Sequence, residues 1–383
     1  MVIPFSKPYR AKSELGYIEK AIEIGNTAGG GAQSSWCAEW LKDLLNVKEV
    51  LLTNSATDAL EMAALLLNIH PGDEVVMPSY TFSSTANAFV LRGAVPIFVD
   101  VEMDTMNIDP ELIRDAITSR TKALIVVHYA GASTDMRKIM EICKEFNLFL
   151  IEDAAQALMA KFEDRYLGSF GDISCFSFHS TKNIVSGEGG AIAISNSSLM
   201  ERANILLEKG TNRKQYINGE VDKYSWVDVG SSYLPSEITS AYLRSQLEKA
   251  FEITEYRIQN WNYYRAFFLP LLEKFSLRIM EPRAYTTHNA HIFYLILPSE
   301  SRKEKFLSEM ALRNITCASH YVPLHNSLAG QQFGMVKSGM KITETFSKRL
   351  VRLPMWSFGD MPIVEITNAC SDVLAEITLE NGF

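Results

Sequence analysis

The residues in this chain best placed to do covalent chemistry together are a lysine at position 182 and an acid at position 153. Lys182 stands in CFSFHSTKN (175–183), between a hydroxyl-rich turn and the glycine turn GEGG (187–190). A lysine after a strand is ordinarily a solvated surface residue. An amine that is buried or flanked by cations is different, because it becomes nucleophilic near neutral pH and condenses with carbonyl groups. Asp153 belongs to IEDAAQ (151–156), where the apolar run Leu148–Ile151 stops at two acids. Taken alone, that junction reads first as a helix N-cap. A third piece, TNSATDAL (53–60), places Ser55, Ala56 and Thr57 between an apolar run and a helical pattern. A helix start offers free N–H groups and hydroxyl donors to an anion, although alone it is only a well-capped helix. An amine, an acid and an anion cup are together what a pyridoxal cofactor needs, since such enzymes pair a Schiff-base lysine with an acid at the pyridine nitrogen.

Something must bring these three pieces to one place. From about residue 35 to 208, short apolar runs alternate with longer amphipathic spans. The runs are Val50–Leu52, Glu74–Met77, Val95–Val99, Ala123–Val127, Leu148–Ile151, Ile173–Phe178 and Ala191–Ile194; helical periodicity fits 56–68, 82–92, 110–118, 135–146 and 198–208. Alternation of this kind predicts an α/β fold with a mostly parallel sheet covered on both faces, whose ligands gather at the carboxyl ends of the strands. After Pro235 the texture changes. A long helical pattern spans about 236–267, followed by the strand-like His291–Leu297, a helix near 301–313 and a Pro/Gly-rich stretch at 323–340. The expected organisation is a large α/β cofactor-binding domain with an N-terminal arm over 1–235. A linking helix and a smaller C-terminal α+β domain would then occupy 236–383.

Composition narrows the function classes. The 45 acidic residues outnumber 37 basic ones, for a formal charge of −8, and no basic run is present. A duplex-binding protein needs a basic face to displace counterions, so nucleic acid is not an expected partner. The five cysteines are scattered, without a C-x-x-C pair, which suits reduced thiols in a cytoplasmic protein and encodes neither a zinc ribbon nor a redox pair. Pro4 and Pro8 interrupt the region where a signal peptide would carry its apolar core, and no stretch of ~18 apolar residues predicts a membrane span.

The set NSATDAL, PSYTFSSTANA (78–88), EDAAQ, FSFHSTKN and EGGA (188–191) resembles the sugar-nucleotide pyridoxal-phosphate (PLP) aminotransferases of the DegT/DnrJ/EryC1/StrS type, which have the type I, aspartate-aminotransferase-like fold. The resemblance covers nearly the whole chain. Within that family, SATDALEMAALLL, DTMNID, VVHYAGA, EKGTNR, VDKYSWVDVGSSYL and HYVPLH are similar to the transaminases that make dTDP-4-amino-4,6-dideoxygalactose for enterobacterial surface polysaccharide, including enterobacterial common antigen. The resemblance implies pyridoxal 5'-phosphate as cofactor, pyridoxamine phosphate as its intermediate form, glutamate as donor and dTDP-4-keto-6-deoxyglucose as acceptor. It implies a homodimer with shared active sites. By residue, it implies that Lys182 tethers the cofactor, Asp153 faces the pyridinium nitrogen, Gln156 the phenolic oxygen and Phe82 the ring. Ser55, Ala56, Thr57 and Ser177 would hold the phosphate, and Lys209, Arg213, His320 and Tyr321 would meet substrate. Many members of the broad family carry Asn-Tyr-Arg-Met where this chain has Ser232, Tyr233, Leu234 and Pro235. Ser232 therefore stands where others send an asparagine to the partner subunit's phosphate.

Other readings carry less. His288/His291 and His320/His325 suggest a metal, but neither His-Glu-x-x-His nor a carboxylate cluster accompanies them, so structural roles are expected for His288 and His291. Tyr263 and Tyr264 on the long helical pattern fit core or dimer contacts. A PLP sugar dehydratase of the same fold would replace the Schiff-base lysine with histidine, which Lys182 argues against. A non-catalytic PLP-binding regulator would need an added DNA-binding segment. Amination at carbon 3, or a gluco product at carbon 4, stays open.

Overall fold

The computed structural model describes residues 2–357 and 361–379. Its centre is an eight-stranded sheet in the order Glu49–Thr53, Gly190–Ile194, Ile173–Ser177, Phe149–Asp153, Thr121–Val127, Glu74–Pro78, Val95–Val99, Met335–Val336. Gly190–Ile194 runs antiparallel to both neighbours, and every other pairing is parallel. Each of the seven expected runs forms a strand, with ends displaced by no more than two residues.

The apolar runs are nearly continuous because both faces are buried. Side chains alternate across a strand, so Val50, Leu52, Leu124 and Val126 join one core with Leu41, Ile139 and Leu247, while Leu51, Ala123 and Ile125 join another with Ala59, Ala63 and Leu206. Side-chain caps set the helix starts: Ser55 accepts from Asp58 N at 3.0 Å, Asp135 from Arg137 N at 3.1 Å and Ser236 from Thr239 N at 3.1 Å.

A third core lies at the C-terminal side. The two-stranded pair Tyr294–Ile296 and Leu350–Arg352 packs with the helices Ala250–Phe268, Glu300–Leu312 and Ile363–Leu379, burying Trp261, Tyr264, Phe293 and Phe306. Tyr80, Tyr129 and Ile3 reach into it from outside. Tyr264 is wholly buried and its hydroxyl donates to Pro354 O at 2.9 Å, whereas Tyr263 is exposed.

One expectation for this half needs correction. The long helix is two, Glu237–Leu247 and Ala250–Phe268, because they serve different cores: Leu243 and Leu247 bury beneath the large sheet, and Trp261 and Phe268 bury in the C-terminal core. The Pro/Gly-rich stretch at 323–340 carries regular elements of its own. It contains the helix Leu328–Phe333 and then the strand Met335–Val336, which adds to the large sheet beside Ile97 and Phe98. Gly334 is needed there, since a Cβ would strike the Phe98 ring.

Glu237 ties helix 237–247 to the N-terminal helices. Its carboxylate is buried and accepts from the N–H groups of Gly31, Gln33 and Ser34 at 3.1, 2.7 and 3.0 Å, completing the start of helix Ala32–Leu45. Glu237→Gln would replace one acceptor oxygen by a donor facing these N–H groups. We expect it to lower unfolding free energy by about 1.5–3 kcal/mol in urea titration. A midpoint matching wild type would show that the carboxylate does not hold this junction.

Candidate active site

The strand directions decide what meets what. In a parallel sheet all carboxyl ends share one edge, so Thr53, Asp153 and Ser177 end there together. The reversed strand begins at the same edge, with Gly190 paired to both Thr53 and Ser177. That edge opens into a cavity of about 560 Å³ lined by Ser55, Ala56, Thr57, Phe82, Asp153, Gln156, Ser177 and Lys182, with His320, Tyr321 and Arg352 on the far side.

Lys182 lies on the turn between strands 173–177 and 190–194. The turn is closed by backbone bonds from Lys182 N to His179 O and from Ser180 N to Gly187 O, both 2.9 Å. Burial lowers the amine from its ordinary range to about 8; Asp153 opposes that shift and Arg352 adds to it. At pH 7 roughly a tenth of the amine is therefore free base, far more than for an exposed lysine.

Asp153 is buried and caps no helix. Its Oδ2 accepts from Thr85 Oγ1 at 2.7 Å and its Oδ1 from Ala155 N at 3.2 Å. Thr85 is in turn steadied by Thr81, hydroxyl to hydroxyl at 2.7 Å. The carboxylate is thus held by donors and presented to the cavity. Its neighbour Glu152 points to the opposite face, where it takes hydrogen bonds from His128, Gly168, Phe170, Gly171 and Ser174 and shapes the following loop.

Gln156 has a fixed orientation. Ala130 N can only donate, so at 2.8 Å it requires Oε1, and Nε2 is left as a donor to the Tyr321 hydroxyl at 3.1 Å. At the other end of the cavity, Ser55 caps helix Ala56–Leu66, and the hydroxyls of Thr57 and Ser84 lie 2.8 Å apart. A Cβ on Gly190 would collide with the backbone of Ser55 and Ala56, so the glycine lets the helix start settle against the sheet edge. The result is an anion cup of backbone N–H and hydroxyl donors. These donors, the opposed amine and carboxylate, and the cavity between them fit pyridoxal phosphate.

The structure brings Ser55, Ala56, Thr57, Phe82, Asp153, Gln156, Ser177, Lys182, His320 and Tyr321 together. It does not bring Lys209, Arg213 or Ser232 to this chain's cavity. Lys209 is exposed at a left-handed turn and its N–H is held by Ser231 O at 3.0 Å. Arg213 pairs with Glu208 at 2.8 Å on the surface. Ser232 is exposed, bridged to Glu208, with its carbonyl accepting from Asn54.

Residues missed in the sequence also line the cavity. Thr85 lay within a quoted motif, two turns from any charged residue, with nothing to single it out. Arg352 and Phe5 come from opposite ends of the chain and carry no local signal. His291 is a cavity residue as well as a structural one. Its Nδ1 lies 2.9 Å from Asn183 Oδ1, and burial, then the charges of Lys182, Arg257 and Arg352, press it well below the usual imidazole range. His288 packs against Trp261 with the rings tilted at 54° and centroids 4.2 Å apart, and His325 Nδ1 meets Ser79 Oγ at 2.6 Å. Among the described residues, no group of three or more His, Cys, Asp or Glu could hold a metal ion, and no helix is long and apolar enough to cross a membrane.

Comparison with known proteins follows the same lines. The model of the DegT/DnrJ/EryC1/StrS aminotransferase family matches residues 8–367. The spore coat polysaccharide biosynthesis protein SpsC of Bacillus subtilis is 29% identical over 382 residues, spanning 97% of each chain. The aminotransferase TlmJ from Streptoalloteichus hindustanus superimposes with a TM-score of 0.89 at 26% identity, covering 99% of this chain and 100% of that one. PseC of Helicobacter pylori, an aminotransferase involved in the biosynthesis of pseudoaminic acid, gives 0.88 at 25%, covering 98% and 100%. A match that runs almost end to end, on a shared fold, establishes that this chain is a pyridoxal-phosphate-dependent aminotransferase of the DegT/DnrJ/EryC1/StrS family with the type I fold.

Proposed function

We propose that the enzyme moves an amino group from L-glutamate to carbon 4 of dTDP-4-keto-6-deoxyglucose, yielding 2-oxoglutarate and dTDP-4-amino-4,6-dideoxygalactose for a surface polysaccharide. The observation that carries transamination is the placement of Lys182 and Asp153 on one cavity with an anion cup beside them. The family's sugar aminotransferases and the part of SpsC in spore coat polysaccharide biosynthesis favour a sugar acceptor. The choice of sugar rests on the similarity of stretches such as EKGTNR and VDKYSWVDVGSSYL to the carbon-4 transaminases.

When bound, pyridoxal phosphate supplies an electron sink for the carbon that loses its proton. The protein does the rest. Asp153, oriented by the hydroxyl of Thr85 and the N–H of Ala155, would keep a ring nitrogen protonated, because opposite charges favour each other's ionised forms. Ser55, Ala56, Thr57 and Ser177 would receive the phosphate, Phe82 the ring face, and the Nε2 side of Gln156 the phenolic oxygen. Lys182 would tether the cofactor and, once released by the donor's amine, carry a proton away from the donor's Cα. Its lowered pKa suits both roles, since one amine must take up and give back a proton near neutral pH.

We further propose a homodimer with shared sites. Lys209, Arg213 and Ser232 lie outside their own chain's cavity, and around them Ile217, Tyr224, Trp226 and Val227 are exposed. Such a patch suits burial against a second copy.

Two outcomes are expected. Apoprotein should take up pyridoxal phosphate covalently at a rate that rises with pH through about 8 and then levels off, because only the free amine attacks. Lys182→Ala should abolish covalent uptake and cut turnover by at least ~10⁴-fold. An uptake rate indifferent to pH on both sides of that value would contradict the role given to Lys182. Secondly, incubation with glutamate and dTDP-4-keto-6-deoxyglucose should give a product whose NMR couplings mark an axial amine at carbon 4. An equatorial amine, or nitrogen at carbon 3, would refute the assigned product while leaving transamination intact.

A further inference from the structure

The residue that follows Lys182 has no part in the chemistry assigned above, yet both ends of its side chain are committed. Asn183 is buried, and its amide is taken up by segment 289–291 from the C-terminal half of the chain. Its Nδ2 donates to Asn289 O at 2.9 Å, and its Oδ1 lies 2.9 Å from His291 Nδ1. A backbone carbonyl can only accept, so the amide has one orientation. That in turn sets the imidazole: Nδ1 must carry a proton to donate to Oδ1. The ring is neutral, because burial first, and then Lys182, Arg257, Arg352 and His320, press it well below the usual imidazole range. A neutral ring protonated at Nδ1 keeps Nε2 as a bare acceptor, the nitrogen left for the cavity that His291 lines.

The segment itself is strapped down. Asn289 is buried, and its Nδ2 donates to Gln156 O and Leu158 O, both at 2.8 Å, while its Oδ1 accepts from His291 N at 3.0 Å. Gly131 leaves room for that side chain, since a Cβ there would strike it. Ala290 sits in the left-handed region at φ 51°. A residue with a Cβ is strained there and persists only where its surroundings over-determine it. Arg257 supplies part of that constraint from helix Ala250–Phe268, donating to the carbonyls of Ala290 and His291.

Both asparagine amides are therefore used at both ends. A buried network that is fully paired specifies one arrangement, and losing one member leaves the others unsatisfied. The same bracket grips the loop of Gln156 by its backbone and the turn of Lys182 by the next residue. Two groups that come from separate junctions of the sheet thus share one reference point in the other half of the chain.

We propose that His291 is a positioning residue for Lys182: its Nδ1–H closes a clasp through Asn183 and Asn289 that fixes the lysine's turn against the loop of Gln156. This rests on the role given to Lys182 as the cofactor's tether and adds to it, since His291 acts through Asn183 and not on a ligand.

Two substitutions separate the ring's nitrogens. In His291→Asn the amide nitrogen lies where Nδ1 was and can still donate to Asn183. In His291→Gln it reaches toward the place of Nε2 and cannot. The groups facing the Lys182 amine are Asp153, Arg352, His291 and His320. Neither substitution changes a charge among them near neutral pH, so a change in the amine reports its position and hydration. The readout is the pH midpoint for covalent uptake of pyridoxal phosphate by apoprotein, with borohydride trapping to locate the bond. His291→Asn should keep the midpoint within about 0.3 unit of wild type, whereas His291→Gln and Asn183→Ala should raise it by about 1 unit, because a loosened turn lets water reach the ammonium. An equal rise in His291→Asn and His291→Gln, or none in either, would overturn the clasp. So would a rise in His291→Asn alone, which would give the role to Nε2.

Wild type is also read directly, so the idea stays exposed even where a buried variant fails to fold. In nitrogen-labelled apoprotein, the imidazole shifts of His291 should mark the neutral ring protonated at Nδ1 from about pH 6 to about pH 9. A ring protonated at Nε2, or an imidazolium, in that window would overturn the proposal whatever the variants do. If wild-type apoprotein takes up no cofactor at residue 182, the tether role fails, and the tautomer alone then decides the clasp.

Discussion

Strand polarity is the constraint from which the site follows. The parallel strands deliver their last residues to one edge, and a single reversed strand delivers its first residue to the same edge. Thr53, Asp153, Ser177 and Gly190 are far apart in sequence and become neighbours by this geometry alone. The turn that reverses the chain between strands 173–177 and 190–194 must project over that edge, and Lys182 rides on it. No long-range steering of side chains is needed, because the backbone topology already places an amine above a carboxylate.

Electrostatics then decides how those groups behave. Asp153 takes hydrogen bonds from donors on two elements, so its orientation belongs to the folded state rather than to any ligand. Lys182 is different: burial lowers its pKa, one carboxylate raises it, and a guanidinium lowers it again. The net effect is an amine that exchanges protons readily near neutral pH. Arg257 shows the contrasting case. It is equally buried and pressed down to about 9, but its donors are taken up by the carbonyls of Ala290 and His291 at 3.0 and 2.5 Å. That guanidinium shapes a turn; Arg352 keeps donors to spare.

Much of the sheet was legible because its strands are buried on both faces, and burial on both faces writes itself as uninterrupted Val, Ile and Leu. The amine, the acid and the anion cup were legible because each sits at a junction where an apolar run meets polar residues. Three things were not. The break at 248–249 carries neither proline nor glycine, and only the change of core from Leu247 to Trp261 explains it. The strand Met335–Val336 is too short to show a period, and it becomes a strand only because Val95–Val99 offers a free edge. Arg352 is one basic residue in a short apolar strand, and its meaning depends on Phe5, a residue 347 positions away.

That last dependence bears on how the two halves of the chain cooperate. The sheet edge carries the groups proposed to meet a cofactor, and the far wall, made of Phe5, His320, Tyr321 and Arg352, faces them across the cavity. The two walls touch through Gln156 and Tyr321, and through Tyr80, whose hydroxyl donates to His320 O. Tyr80 and Tyr129 stand edge to face with Tyr321, at centroid distances of 5.6 and 6.2 Å. Tyr80 and Tyr129 are fully buried, so a shift of the far wall would disturb Tyr321 and, through it, the residue expected at the phenolic oxygen. On the proposed roles, substrate recognition on one side would be coupled to cofactor placement on the other by packing, with Tyr321 as the shared member.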